Sequence, residues 1–254
     1  MTRNDLVGVP RTPTALRRTA FLAGALYVLT FLSSIPAVAL IGPVLNDPRY
    51  VLGQGADTQV LWGAVLDIVN PIAAIGTAVV LYPVVRRQSQ TLALGFVASR
   101  LAEAVILMIG VVSVLAVVTL RQDLGATDDG SLVTVAAGLV AVRDWAFLIG
   151  TSAAVPNALL LGTLMYRSRL VPRVIPLMGL IGAPLLLLGN GLTMFGVGEE
   201  FPAMAAITLA GIFFWELSLG VYLMVKGFRP SPVTAGLLAA DDAAALPTPM
   251  AVSR

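Results

Sequence analysis

Long apolar stretches alternate with short polar ones along the whole chain. The apolar runs cover about 19–42, 59–85, 91–120, 132–166, 174–197 and 202–225. Each is near or above the roughly 20 residues that an α-helix needs to cross a bilayer core. None has the ten-residue alternation of a membrane β-strand. The pattern predicts an all-α, polytopic membrane protein, a bundle of six transmembrane helices over residues 17–229 with both termini on one side. Residues 1–16 and 230–254 are polar or Ala/Pro-rich without sustained periodicity, and are expected to be disordered cytoplasmic tails. The fourth run is longer than one crossing requires, so its exact span stays open.

Composition strengthens this reading. The chain has 254 residues, of which 57% are hydrophobic and 12% charged, with a mean hydropathy of +0.90. Soluble domains carry about 25% charged residues. Cysteine and histidine are both absent. Disulfides, thiolate nucleophiles and the usual zinc sites are therefore excluded, and so is the side chain that ordinarily titrates near neutrality. No catalytic, cofactor-binding or metal-binding residue is assigned, and no cofactor is expected. Ser99, Ser113, Ser152 and Ser218 lack any histidine to activate them, which makes an enzyme the weakest of the functional classes.

The distribution of charge gives an orientation. With the N-terminus cytoplasmic, the inner side holds Arg3, Arg11, Arg17, Arg18, Arg86, Arg87, Arg167, Arg169, Arg173, Lys226, Arg229 and Arg254. The outer side holds only Arg49 and Arg121. The positive-inside rule then places both termini in the cytoplasm. A cleaved signal peptide is the rival reading of the first run, with "AVA" at 37–39 as its cleavage site. The basic pI, about 9.3, reflects topology and not nucleic-acid binding. The expected partners are the lipid bilayer and, at the basic inner loops such as "YRSRLVPR", anionic lipid.

Six ionisable residues fall inside spans: Asp67, Arg100, Glu103, Arg143, Asp144 and Glu216. A charge at a helix centre costs about 2.5–3.5 kcal/mol even on lenient scales, so these residues must face one another, water or the bilayer surface. Depth along each span puts Glu103 and Glu216 near the midplane and Arg100 about two turns to the inner side. Arg100 and Glu103 are three apart and share a helix face. Asp67 and Arg143 fall in the outer half. Two layers follow, Arg100 with Glu103 and Glu216, and Arg143 with Asp67. Arg143 and Asp144 point about 100° apart and serve different partners. Four acids against two arginines leave two surplus negative charges, so at least one of Glu103, Glu216 and Asp67 is expected to be neutral at pH 7.

Neutral polar groups accompany them. Asn70, Asn157 and Asn190 lie within the second, fourth and fifth spans, the first two beside proline in "DIVNP" and "AVPN". Proline frees a backbone carbonyl, and such breaks either line cavities or are simply tolerated kinks. Three readings of the charges remain, of which the first, a structural or regulatory membrane protein, is the one expected and the transporter is its alternative. They are interhelical clamps in a structural or regulatory protein, a small-solute or proton site in a transporter, or interfacial residues snorkelling to headgroups. The substrate, if any, is not specified.

Several segments carry a family resemblance. They are "GPVLNDPRYV" (42–51), "GAVLDIVNPIAAIGTAVVLYPVVRR" (63–87), "LALGFVASRLAEAVILMIGVVSVL" (92–115), "AVRDWAFLIG" (141–150), "LMYRSRLVPRVIPLMGLIGAPLLL" (164–187) and "LGVYLMVKGFRPS" (219–231). In these the chain resembles the bacterial membrane family catalogued as domain of unknown function 4386, over roughly 17–231. That resemblance implies a six-span bundle in the bacterial inner membrane. It implies no activity, substrate or cofactor.

Overall fold

The structure, a computed structural model, describes residues 14–47, 49–53, 57–124, 130–197 and 202–235. Six long helices account for most of them: α1 (Thr14–Asn46), α2 (Asp57–Val85), α3 (Gln90–Leu124), α4 (Gly130–Ser168), α5 (Val174–Met194) and α6 (Pro202–Val225). A short 3-10 turn, Tyr50–Leu52, follows α1. All six are long and apolar enough to cross a membrane. The fourth apolar run is one continuous 39-residue helix with Pro156 inside it. Most of the expected disordered tails, 1–13 and 236–254, lies outside the described residues. The described part of the second tail is packed. Thr234 is buried, and the Ser231 hydroxyl donates to the Ser168 carbonyl at 2.5 Å.

Short connections make consecutive helices neighbours. Each helix packs against the next in sequence, and α6 returns to α1, which closes a ring. The outside of the ring is apolar: Leu32, Ile72, Val112, Ile181 and Ile207 are all more than half exposed. Among such residues hydrophobic burial gives little drive to associate in lipid, and close backbone approach matters more. α1 and α6 meet at Gly24 and Gly220, where a Cβ on Gly24 would lie 2.5 Å from the Gly220 carbonyl oxygen. α5 and α6 meet at Gly182 and Gly211 in the same way, with a clearance of 2.9 Å.

The two ends of the ring are built differently. At the end where α1 begins and α6 finishes, one core draws on all six helices, with Tyr27, Leu81, Phe96, Leu164, Ile175 and Trp215 among its members. Arg17 locks this end, because its guanidinium donates to the carbonyls of Leu223, Met224 and Val225 at 2.9–3.1 Å. Those carbonyls belong to the last turn of α6, where the Leu223 oxygen also accepts from the Gly227 N–H at 3.2 Å, and a helix C-terminus is a favourable place for a cation. At the opposite end the core joins α1, the 3-10 turn, α2, α3 and α4, among the described residues. There Arg121, which the sequence places in an outer loop, is a buried residue of α3. It pairs with Asp57 at 2.9 Å, donates to the Gly53 carbonyl at 2.8 Å and lies 4.4 Å from the Tyr50 ring centre. A smaller buried cluster, with Ala154, Ala183, Leu186 and Ile212 among its members, joins α4, α5 and α6.

Candidate functional site

The interior of the ring, between its two cores, is where the charged residues meet. Arg100 of α3 is 3% exposed, and its guanidinium is forked between two carboxylates. One terminal nitrogen donates to Glu103 Oε2 at 2.9 Å, the other to Glu216 Oε1 on α6 at 2.5 Å. The (i, i+3) spacing of Arg100 and Glu103 sets the first contact, and the antiparallel return of α6 against the ring supplies the second. Tyr27 of α1 adds its ring 5.4 Å from the guanidinium carbon. Asn157 of α4 donates its amide to Glu103 Oε2, and Ser99 donates to the Asn157 oxygen. Glu103 is thus held from its own helix by Arg100 and from neighbouring α4 by Asn157.

A second charged contact lies nearer the opposite end. Arg143 of α4, also buried, donates to Asp67 Oδ2 of α2 at 3.1 Å and sits 5.2 Å from the Phe147 ring centre. Gly110 of α3 makes the passage possible, since a Cβ there would come within 2.9 Å of Arg143 Cδ. Asp144, one residue on, is exposed and belongs to neither cluster. The 100° step along a helix separates the two neighbours, as expected. Asp144 lines a recess of about 600 Å³ together with Arg143, Trp145, Phe147 and Thr193.

Between the two ion-pair layers lies a cavity of about 360 Å³ to which all six helices contribute. Its polar wall is Arg100, Glu103, Glu216, Asp67 and Asn70. Its apolar wall includes three aromatic rings, Phe31, Phe147 and Phe213. Phe31 and Phe213 stack edge to face, with centroids 4.9 Å apart. Ile35, Val38 and Leu209 at the rim are exposed. Val38 and Phe147 also line the recess of Asp144, so the two spaces share a wall. The volume falls in the range of about 300–1,000 Å³ typical of small-molecule sites, and so does the combination of apolar lining with a few convergent polar groups.

The remaining polar residues divide between the cavity and the packing. Asn70 faces the cavity. Asn190 does not; it donates to Ser152 Oγ at 2.9 Å and Thr151 Oγ at 3.2 Å, stitching α5 to α4. Ser113, Ser152 and Ser218 each donate to a carbonyl of their own or an adjacent helix. Three contributors were not singled out by sequence: Tyr27, Phe31 and Phe213. They sit in apolar runs like any core aromatic, and only the ring closure of α1 against α6 reveals their place.

These features define a polytopic helical membrane protein with a charged cavity inside a closed six-helix ring. The chain belongs to the family described as "Domain of unknown function (DUF4386)", whose model matches residues 22–227. Comparison with curated proteins gives no match, and comparison with solved structures gives none either.

Proposed function

We propose that the protein is a small-solute carrier whose binding site is the cavity at the centre of the ring. One observation carries this reading: a 360 Å³ space is lined from all six helices and bordered by Arg100, Glu103 and Glu216. A purely structural clamp has no need of space beside its charges. Charges placed in a membrane interior are expensive, and they persist where they line a pathway or a water-filled cavity. Clamping and binding are compatible for Arg143 and Asp67, which make a balanced pair.

The same reading sets the protein in a bacterial inner membrane with both termini in the cytoplasm. The end of the ring that carries them exposes Arg18, Arg86, Arg87, Arg167, Arg169, Arg173, Lys226 and Arg229. The other end exposes Arg49, while Arg121 is buried in its ion pair. This asymmetry favours the N-in, C-in arrangement. It also brings the basic end against anionic headgroups, each basic residue near the surface contributing about 1 kcal/mol.

The absence of cysteine supplies the test. Ser34→Cys and Thr151→Cys place single thiols on the cavity wall with no background. In membrane vesicles both are expected to react with a small charged methanethiosulfonate reagent. Ile72→Cys on the lipid face is expected to stay unlabelled. Equal lack of reaction at all three positions overturns the carrier reading and leaves the clamp.

A further inference from the structure

We infer that the solute taken by this cavity is a monovalent organic cation, an ammonium group attached to an apolar body, which binds by displacing a proton. The inference rests on the carrier reading above and specifies its ligand. Three independent features of the cavity lead to it.

The first is the charge count at the site. Asp67 is matched by Arg143, but Arg100 alone faces both Glu103 and Glu216. The Arg100 layer therefore holds one carboxylate more than it holds arginines. In a low-dielectric interior that surplus must be neutralised, and a proton or a cation can do it. An anionic solute would add to the surplus negative charge, and both arginines already pair with carboxylates through their terminal nitrogens, only their buried Nε atoms lacking a partner.

The second is the free coordination of the carboxylates. Glu103 accepts both of its hydrogen bonds on Oε2, and Glu216 accepts its one on Oε1. Glu103 lines the cavity and is more than nine-tenths buried, yet its Oε1 accepts no hydrogen bond from the described residues. Oε2 of Glu216 is likewise free among the described residues. Two cavity-lining carboxylates, each with an oxygen that accepts no hydrogen bond from the described residues, suit an ammonium with N–H donors, and equally a quaternary ammonium held by charge alone.

The third is the opposite wall. Phe31, Phe147 and Phe213 surround the apolar part of the cavity, with Leu209 and Ile212 beside them. Aromatic faces attract organic cations through the ring quadrupole, and the attraction grows when water is excluded. A metal ion is a poor fit for that wall, and no cluster of three metal-ligating side chains occurs among the described residues. The apolar body of an amine fits it well.

The groups facing the surplus carboxylate come from five helices. They are Tyr27 on α1, Asp67 on α2, Arg100 and Glu103 on α3, Arg143 on α4 through its pair with Asp67, and Glu216 on α6. α5 contributes no titratable group to the wall, only Leu186. Binding is an exchange: the cation enters, the proton that balances the surplus carboxylate leaves to solvent, and the net charge of the site is unchanged. Coupled in this way, transport in one direction carries a proton in the other.

The full-length protein in lipid nanodiscs provides the assay, with benzyltrimethylammonium as probe and neopentylbenzene as its uncharged isostere. Calorimetric titration is run between pH 5.5 and 8.5. The cation is expected to bind at least about tenfold more tightly than the isostere. Its affinity is expected to rise with pH, by up to about tenfold per unit while the carboxylates titrate, with one proton released per cation bound. Glu216→Gln is expected to remove the pH dependence. The wild-type comparison of cation with isostere needs no variant, so a misfolded Glu216→Gln protein does not shelter the idea. Equal binding of the two probes overturns the inference, and so does binding independent of pH. Absence of binding with Ser34→Cys and Thr151→Cys still labelled overturns the cation assignment alone. Absence of binding with both thiols unreactive removes the carrier reading as well.

Discussion

The Arg143–Asp67 layer and the Arg100 layer use the same chemistry to different ends. In the first, one arginine meets one carboxylate across α4 and α2, at 3.1 Å, and the charges cancel. In the second, one arginine meets two carboxylates from α3 and α6, and an amide of α4 holds one of them in place. A balanced pair is a sufficient description of a clamp. An unbalanced one next to open space has a charge that something else must answer. The difference lies in stoichiometry and surroundings, since both arginines are buried and both sit near an aromatic ring.

Removing each arginine sharpens the contrast. Arg100→Gln leaves Glu103 and Glu216 facing each other without a cation. A loss of about 3–5 kcal/mol is expected, seen as a collapse of thermal stability in detergent. Arg143→Gln leaves a single carboxylate, Asp67, near the cavity edge, and a smaller loss of about 2–3 kcal/mol is expected in the same measurement. The paired neutralisations separate the layers further. Arg143→Gln with Asp67→Asn should restore most of the wild-type stability, because no charge remains. Arg100→Gln with Glu216→Gln should recover less, because Glu103 still lacks a cation. Equal recovery in the two double variants would erase the distinction between the layers.

The weakest expected effect lies at the far end of the ring. Burial, followed by its hydrogen bond to Asp57, raises the Tyr50 hydroxyl above its usual value of 10.0. A raised acid stabilises the fold fully below that ordinary value and loses its contribution as pH climbs through the folded one. Thermal stability is therefore expected to drop modestly above about pH 10, and Tyr50→Phe should remove that part of the drop. A Tyr50→Phe protein with an unchanged alkaline limb would detach the Tyr50–Asp57–Arg121 tether from stability.

How legible this was in the sequence depends on the interaction involved. Hydropathy marks the six helices because a bilayer crossing has a length and forbids most charge. The match of Arg100 to Glu103 follows from (i, i+3) spacing, and that of Arg143 to Asp67 from depth alone. The cavity was not legible. It depends on ring closure between Gly24 and Gly220 and on Phe31 meeting Phe213. Neither of these has a periodic signature. Arg121 shows the opposite error. A charged residue near a span end reads as loop, yet a one-turn extension of α3 buries it against Tyr50.

The carboxyl region of the infrared spectrum tests the central claim most directly, recorded for the wild-type protein in nanodiscs near neutral pH. A protonated-carboxyl band that shifts in deuterated water and disappears on addition of benzyltrimethylammonium is expected, since the Arg100 layer holds one carboxylate more than it holds arginines. No such band, or one indifferent to both deuterium and the cation, contradicts an unbalanced and accessible cluster at the centre of the ring.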